Sequence, residues 1–160
     1  MSTRESEQCR RRLLEVGVSQ ISGGSRTSVG GYPEAGARDQ GSGDRTEQFE
    51  VNDGRSLGEV VRWLIDSGHI PSFCTACYRE GRVGDRFMAL CKSGQIQNCC
   101  HPNALMTLQE YLLDYAEADT RRAGEQLIHR ELLHIPSKKM RALRRDRLEK
   151  INNGSRDFRV

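Results

Sequence analysis

Hydrophobic and polar residues along the first half of the chain follow a helical pattern twice, each time followed by a short extended segment. Residues 10–17 end on a glycine, as a helix does, and residues 18–22 are predicted to form a strand. A second helix is predicted to begin near Ser56, because Glu59 three residues later completes a capping box, and to end at Gly68. Its apolar residues share one helical face: Leu57, Val60, Val61, Leu64 and Ile65.

The segment HIPSF at 69–73 then returns as a second predicted strand, which completes a βαβ unit with parallel strands. Seven of the 24 residues from Gly23 to Thr46 are glycine, so a loop is predicted before the helix. Two strands do not form a stable sheet alone. Residues 1–73 are therefore predicted to be one portion of a larger α/β structure.

Residues 74–160 are predicted to be helical. Pro102 and Asn103 open a periodic segment, and Asp119 or Thr120 caps a second one. Pro136 stands at a first-turn position of a third helix, which Asn153 and Gly154 end. Three helices with short connections predict a small bundle.

Composition narrows the class of protein. Of 160 residues, 36% are hydrophobic and 6% aromatic, and the mean hydropathy is -0.69. No window approaches the roughly 20 consecutive apolar residues of a membrane span, and the first residues lack the apolar stretch of a secretory signal. We expect a cytoplasmic protein with no membrane partner. In that reducing compartment, clustered cysteines indicate metal or redox chemistry more often than disulfides.

Five of the six cysteines lie within residues 72–104, a span of 33 residues. Cys74 and Cys77 are separated by two residues, so both sulfurs can reach one metal ion. A third ligand would come from Cys99 or Cys100, and His101 is adjacent. Three interpretations stay open on spacing alone: small buried hydrophobes, a zinc site, or an iron-sulfur cluster.

The zinc interpretation takes Cys74, Cys77 and Cys100 with His101 or Cys99, which gives a tetrahedral set. The cluster interpretation needs three thiolates, and a 4Fe-4S cluster held by three cysteines keeps one iron without a protein ligand. That iron is open to an external molecule.

Positive charge concentrates in residues 138–147, although the net charge of the whole chain is only +3. The basic residues there are Lys138, Lys139, Arg141, Arg144, Arg145 and Arg147. Combined with a zinc site, they define an alternative function, a module whose basic helix contacts nucleic acid. Aromatic residues are nearly absent around this helix, which disfavours stacking on single strands. A solvent-exposed helix face is the simpler interpretation, and we do not expect a nucleic-acid partner.

Four segments together are more specific than any of these patterns. They are GVSQISGGSRTSVGGY at 17–32, EQFEVNDGRSLGEVVRWL at 47–64, GHIPSFCTACYREGRVGDRFM at 68–88 and SGQIQNCCHPNALMTLQEYLLDYA at 93–116. In this order they resemble the C-terminal part of the HydG family of FeFe-hydrogenase maturases. These are radical SAM tyrosine lyases related to the 2-iminoacetate synthase of thiamine biosynthesis.

The resemblance implies an α/β fold, with the last βαβ portion of a TIM-type radical SAM barrel at 1–73 and a small helical domain carrying the cysteine cluster at 74–160. It implies that Cys74, Cys77 and Cys100 bind an auxiliary 4Fe-4S cluster, whereas Cys99 is a spare or alternative thiol. The open iron of this cluster would connect to a further iron that collects carbon monoxide and cyanide from tyrosine. Residues at the predicted strand end would face the reaction chamber: Gln20, Ser22, Ser25 and Arg26. Arg26 would pair with a carboxylate such as that of tyrosine.

The chain also departs from the family pattern. It contains no Cys-x3-Cys-x2-Cys triplet, the motif that holds the radical-generating cluster. S-adenosylmethionine would enter only through barrel segments that these residues do not supply. We therefore expect a part of a carbon–carbon lyase that is not catalytically complete as a single chain. Its expected partner is the remainder of the barrel, as a separate chain or within a full-length maturase.

Overall fold

The structure is a computed structural model that describes residues 1–26, 50–135 and 138–160. Most of the predicted glycine-rich loop and the predicted helix start at Pro136 lie outside these residues. The described residues form these helices: α1 (Glu7–Glu15), α2 (Leu57–Asp66), α3 (Ala76–Arg79), α4 (Asp85–Lys92), α5 (Ile96–Asp114), α6 (Ala118–Leu133) and α7 (Lys138–Asn152). Within the same ranges, no helix combines the length and apolar character needed to cross a membrane.

The predicted α/β class is wrong, because the described residues contain no strand. The predicted βαβ portion of a barrel at 1–73 is wrong for the same reason. Residues 18–22 and 69–73 do lie outside helices, but neither forms a ladder. Their backbone groups bind elsewhere: Ser22 N–H donates to the Met1 carbonyl at 3.1 Å, and Phe73 N–H donates to Thr107 Oγ1 at 3.2 Å. A strand exists only where its backbone groups pair with a neighbouring strand.

The predicted helix ends in the first half are confirmed. After α1, Gly17 adopts φ +90° and donates to the Leu14 carbonyl at 3.0 Å, while Val18 N–H donates to Leu13 at 3.0 Å. Ser56 and Glu59 form the predicted capping box at the start of α2: Ser56 N–H donates to Glu59 Oε2 at 2.8 Å, and Glu59 N–H donates to Ser56 Oγ at 3.3 Å.

The chain divides into two compact units, Met1–Val60 and Val61–Val160, with the boundary inside α2. In the first unit the side chain of Arg10 is completely buried on α1. Its guanidinium donates to Asp53 Oδ2 and to the Ser22 carbonyl. One buried ion pair therefore fixes α1 against two irregular segments of this unit.

The second unit is a helical bundle, as predicted. Helix α5 packs against both α6 and α7, and α6 also contacts α7. Apolar residues surround α5 on several sides, and Leu105, Met106, Leu108 and Leu112 are each at most 1% exposed. A helix that is apolar all round is buried by its neighbours. Its partners in the core are chiefly Leu127, Ile128, Leu132, Leu148 and Ile151.

Two features of this unit differ from the sequence prediction. Helix α5 begins at Ile96, so Cys99 and Cys100 lie inside a helix and Pro102 stands within it. Pro102 is the seventh residue of α5 and has no N–H, so the helix lacks the backbone hydrogen bond that this position would otherwise donate to the residue four before it. The short helices α3 and α4 were not predicted.

Candidate functional site around the cysteines

Residues 74–77 form a tight turn: Cys74 precedes the four-residue helix α3, and Cys77 is the second residue of that helix. Thr75 takes the N-cap position, and the N–H of Ala76 donates to the sulfur of Cys74 at 3.4 Å. Arg82 N–H donates to the Cys77 carbonyl at 2.8 Å, which closes the chain after α3. Both cysteines are partly exposed. The turn thus presents two thiols at one surface, with one sulfur already oriented by the backbone.

Cys99 and Cys100 are neighbours on α5, so their side chains point about 100° apart around the helix axis. The pKa of the Cys100 thiol is raised, first by burial and then by the thiols of Cys77, Cys74, Cys99 and Cys91, in that order. The four other cysteines of this region therefore lie within electrostatic reach of Cys100. The thiols of Cys77 and Cys74 raise the pKa of Cys100 more than the thiol of Cys99 does.

The sulfurs are neighbours without being a preformed ligand set. In residues 1–26, 50–135 and 138–160, no group of three or more His, Cys, Asp or Glu side chains is arranged to hold a metal ion. The donor set nevertheless fits an iron-sulfur cluster in its chemistry, because it consists of thiols, and the other four influence the pKa of Cys100 electrostatically. Burial, and after it repulsion between thiolates, raises the pKa of Cys100, and a bound cationic metal centre would offset both effects.

His101 does not extend this set. Its Nε2 forms a hydrogen bond with Glu131 Oε2 on α6 at 3.1 Å. Glu131 also lies 3.9 Å from His134 Nδ1. The imidazole is therefore engaged with α6, and this contact argues against His101 as the fourth ligand of a zinc site.

The turn before Cys74 is attached directly to α5. The ring of Phe73 stacks on Tyr111, with centroids 4.7 Å apart and planes inclined by 15°. Phe73 N–H donates to Thr107 Oγ1 at 3.2 Å. These contacts fix the residue adjacent to Cys74 on the same helix that carries Cys100.

The predicted chamber residues lie together in the irregular segment after α1, and Gln20, Ser22, Ser25 and Arg26 are all exposed. The Gln20 carbonyl accepts from the Met1 amino group at 2.6 Å. Gly24 N–H donates to the Arg55 carbonyl at 3.2 Å. Gly24 has φ +64°, and a Cβ there would lie 3.1 Å from the backbone nitrogen of Leu57, so this close approach requires glycine.

The buried ion pair of Arg10 and Asp53 was not predicted from the sequence. It holds this segment through the hydrogen bond from Arg10 to the Ser22 carbonyl. Asp53 also accepts from Arg55, at 2.8 Å from Nε to Oδ1 and 2.6 Å from Nη2 to Oδ2. The Arg55 guanidinium, with the added charge of Arg10, lowers the pKa of Asp53 from 3.8 to about 2. The two partners of the pair are 43 residues apart, and no local pattern marks a pair at that separation.

The basic residues of α7 do not form one open face. Arg144 is 8% exposed, and burial lowers its pKa. The guanidinium of Arg147 donates to the Arg159 carbonyl at 3.2 Å. Two of the six basic residues in this stretch thus turn toward the protein, which disfavours the alternative of a nucleic-acid contact.

Known proteins resemble this chain over its first 70 residues and over its whole length. Residues 1–70 match the family model described as Biotin and Thiamin Synthesis associated domain. A solved structure of HydG, described as a maturase of the FeFe-hydrogenase, is similar over 100% of this chain, with 46% sequence identity and a TM-score of 0.86. The chain covers 33% of that HydG chain. No curated protein sequence matches. The predicted resemblance to the C-terminal part of HydG is confirmed.

Proposed function

Because this chain is related along its whole length to a part of the maturase HydG, we propose that it is the auxiliary cluster region of a radical SAM tyrosine lyase. The complete lyase would make the carbon monoxide and cyanide ligands used in FeFe-hydrogenase assembly. This region would act with the remainder of the lyase, since it corresponds to about a third of the HydG chain.

The observation that carries the proposal is the arrangement of thiols around Cys100. Cys74 and Cys77 lie in one turn and Cys100 lies on α5, where burial and then the thiols of Cys77 and Cys74 raise the pKa of Cys100. These three residues would hold a 4Fe-4S cluster. When bound, the cluster would supply an iron without a protein ligand, at which an external molecule binds. Cys91 and Cys99 would remain as additional thiols beside it.

Anaerobic reconstitution with ferrous iron and sulfide tests the ligand assignment. We expect the unmodified protein to become brown, with broad visible absorbance and about four irons and four sulfides per chain. Cys74→Ser, Cys77→Ser and Cys100→Ser should each lose most of the bound iron. Cys9→Ser and Cys91→Ser are matched controls and should retain it.

The same measurements separate the alternatives. A colourless protein that binds one zinc per chain would contradict the cluster and support the zinc interpretation. Retention of iron in Cys100→Ser together with its loss in Cys99→Ser would show that the third ligand is Cys99.

The segment with Gln20, Ser22, Ser25 and Arg26 is proposed as part of the chamber that binds tyrosine. The support is its attachment by Arg10, which fixes the Ser22 carbonyl, and by the Gly24 contact with Arg55. A guanidinium at Arg26 would pair with the substrate carboxylate.

This assignment is measurable in a protein that joins the chain to the radical SAM portion of a HydG relative. Arg26→Gln should raise KM for tyrosine about tenfold or more, and Arg26→Lys should raise it less. Arg12→Gln on α1 is the control for the loss of one arginine. An unchanged KM in Arg26→Gln would remove Arg26 from the chamber.

A further inference from the structure

The helix that carries Cys77 has little to hold it in place on its own. Helix α3 contains four residues, which is far shorter than a helix that is stable in isolation. Of its side chains only Ala76 is buried, at 4% exposure, whereas Tyr78 is 77% exposed. Contacts with other segments must therefore fix the position of α3.

Residues 155–160, here called the strap, run back along α5. Arg156 donates to Asp114 at 3.0 and 2.6 Å. The N–H of Asp157 donates to Glu110 Oε1 at 2.8 Å, and the N–H of Val160 donates to Asn103 Oδ1 at 2.9 Å. Phe158 packs against the hydrophobic core between these points. The strap is thus attached at three levels of α5, the last of them one turn beyond Cys100.

The other side of the strap binds the end of α3. Arg79 donates to both carboxylate oxygens of Asp157, at 2.5 and 2.9 Å. Arg159 Nε donates to Glu80 Oε1 at 3.2 Å, and Arg159 Nη1 lies 3.6 Å from Asp157 Oδ2. Arg79 and Glu80 at the end of α3 thus pair with Asp157 and Arg159 of the strap, respectively. This arrangement favours one register, because a shift of the strap by one residue in either direction would remove both ion pairs and place Arg156 or Phe158 opposite Arg79.

The backbone of the strap is shaped for this contact. Asp157 has φ +64° and is the non-glycine residue with positive φ in the described part of the chain. Asp and Asn tolerate this conformation better than most residues do. The turn places the Asp157 N–H toward α5 and its carboxylate toward Arg79.

The two cysteines of the turn are thereby held from both sides. Before Cys74, Phe73 is attached to Thr107 and Tyr111 of α5. After Cys77, α3 reaches α5 through the strap. Without the strap, the connection between α3 and α5 after Cys77 would be lost.

Building on the proposed cluster function, we propose that the strap positions the Cys74–Cys77 turn against Cys100, with Asp157 and Arg159 as positioning residues for the metal site. Residues outside the ligand set that orient the ligands change metal affinity by about 10- to 100-fold when they are substituted. Gathering the thiols matters here, since in residues 1–26, 50–135 and 138–160 no three such side chains are already converged on one point.

The test uses Asp157→Asn, which keeps the size and the positive-φ tolerance of the residue and removes its charge, and Arg159→Gln. Asp146→Asn and Arg121→Gln are the matched controls, because these residues form exposed ion pairs within α7 and α6, away from α3. Anaerobic titration with cobalt(II) follows thiolate-to-cobalt charge-transfer absorbance. We expect the two strap variants to bind cobalt about tenfold more weakly than the controls.

Two further measurements separate positioning from a general loss of structure. The double variant Glu80→Arg with Arg159→Glu restores attraction between positions 80 and 159 and should bind cobalt more tightly than Arg159→Glu alone. Urea unfolding of the bundle should change little in all variants, because exposed ion pairs contribute little to stability. Equal cobalt affinity in strap variants and controls would overturn the proposal.

A second test needs no bound metal, because it measures how fast iodoacetamide alkylates the cysteines of the metal-free protein. Mass spectrometry after limited iodoacetamide treatment should show Cys77 reacting faster in Asp157→Asn than in Asp146→Asn, with Cys9 on α1 as the internal reference. A wild-type protein that takes up no iron would contradict the proposed function and leave this comparison intact. Unchanged Cys77 reactivity would contradict the strap.

Discussion

At the scale of single residues, Gly124 shows how closely the bundle is packed. It lies on α6 facing Leu112 of α5, and both residues are buried. A Cβ at Gly124 would lie 2.5 Å from Leu112 Cδ1, 2.7 Å from Cδ2 and 3.1 Å from Cγ. Leu112 has no exposed surface into which it could move. The glycine is therefore required by the approach of two helices and not by its backbone conformation.

Gly124→Ala is expected to destabilise the protein. Alanine is favoured over glycine in a helix by about 1 kcal/mol, but overpacking a closed core costs about 1–3 kcal/mol. The net change in the free energy of unfolding, measured in urea, should be a loss of about 1 kcal/mol. Gln126→Ala at an exposed position of α6 is the control and should be nearly neutral.

A double variant tests the cause. Leu112→Ala alone should cost about 2–5 kcal/mol, and it should cost less in the presence of Gly124→Ala, because the new methyl group fills part of the cavity. A stability gain in Gly124→Ala would show that α5 and α6 can separate at no cost.

At the scale of elements, the sequence predicts well what is decided locally. The capping box at Ser56 and the glycines after α1 and α2 mark helix ends through contacts within five residues, and all three are observed. The predicted strands failed because a strand depends on a partner. In the described structure, the N–H of Ser22 and that of Phe73 donate to Met1 and Thr107 instead.

The missed helix α4 had a usable local signal. Gly84 occupies its N-cap, Asp85 follows in the first turn, and Gly94 with φ +75° follows its end. The apolar residues between them are consecutive, from 87 to 91, so they give no clear helical period, and in the structure Met88 is 47% exposed. Helix α3 is a single turn and lies below the length that periodicity can detect.

In the candidate site, too, local features are predictable from the sequence and contacts between distant residues are not. The sequence marks the cysteines of residues 72–104 as candidate metal ligands, because metal chemistry constrains residue type and separation. Spacing alone leaves Cys99 and Cys100 both open as the third ligand. The surroundings of these thiols depend on distant pairs. Arg79 and Asp157 are 78 residues apart, and Arg159 and Glu80 are 79 residues apart. Charged residues at such separations have many possible partners, and only the fold selects among them.

At the scale of the whole molecule, acid sensitivity is distributed over both units. The pKa values of Glu5 and Glu59 are lowered mainly by hydrogen bonds from Ser2 and Ser56. Those of Asp114 and Asp157 are lowered by hydrogen bonds from Arg156 and Arg79. All four carboxylates are at the surface, so solvent screens each contribution. Asp53 differs, because its side chain is fully buried beside two guanidinium groups.

The direction of the pH dependence follows from these shifts. A carboxyl group whose pKa is lower in the folded state stabilises the protein above its unfolded pKa and loses that contribution as the pH falls through its folded pKa. For Asp53 the window runs from about pH 4 to about pH 2, since its pKa falls from 3.8 to about 2. The contribution corresponds to about 2 kcal/mol at neutral pH.

Urea unfolding at pH 7, 4 and 2.5 should therefore show a wild-type protein that loses stability mainly below pH 4. Asp53→Asn should be less stable at pH 7, because Arg10 would remain buried without its carboxylate. The difference between the two proteins should shrink toward pH 2.5, where the wild-type carboxylate begins to be protonated. Asp146→Asn, an exposed control on α7, should follow the wild type throughout. Parallel loss of stability in wild type and Asp53→Asn would show that the buried pair does not govern acid unfolding, and that the surface carboxylates together do.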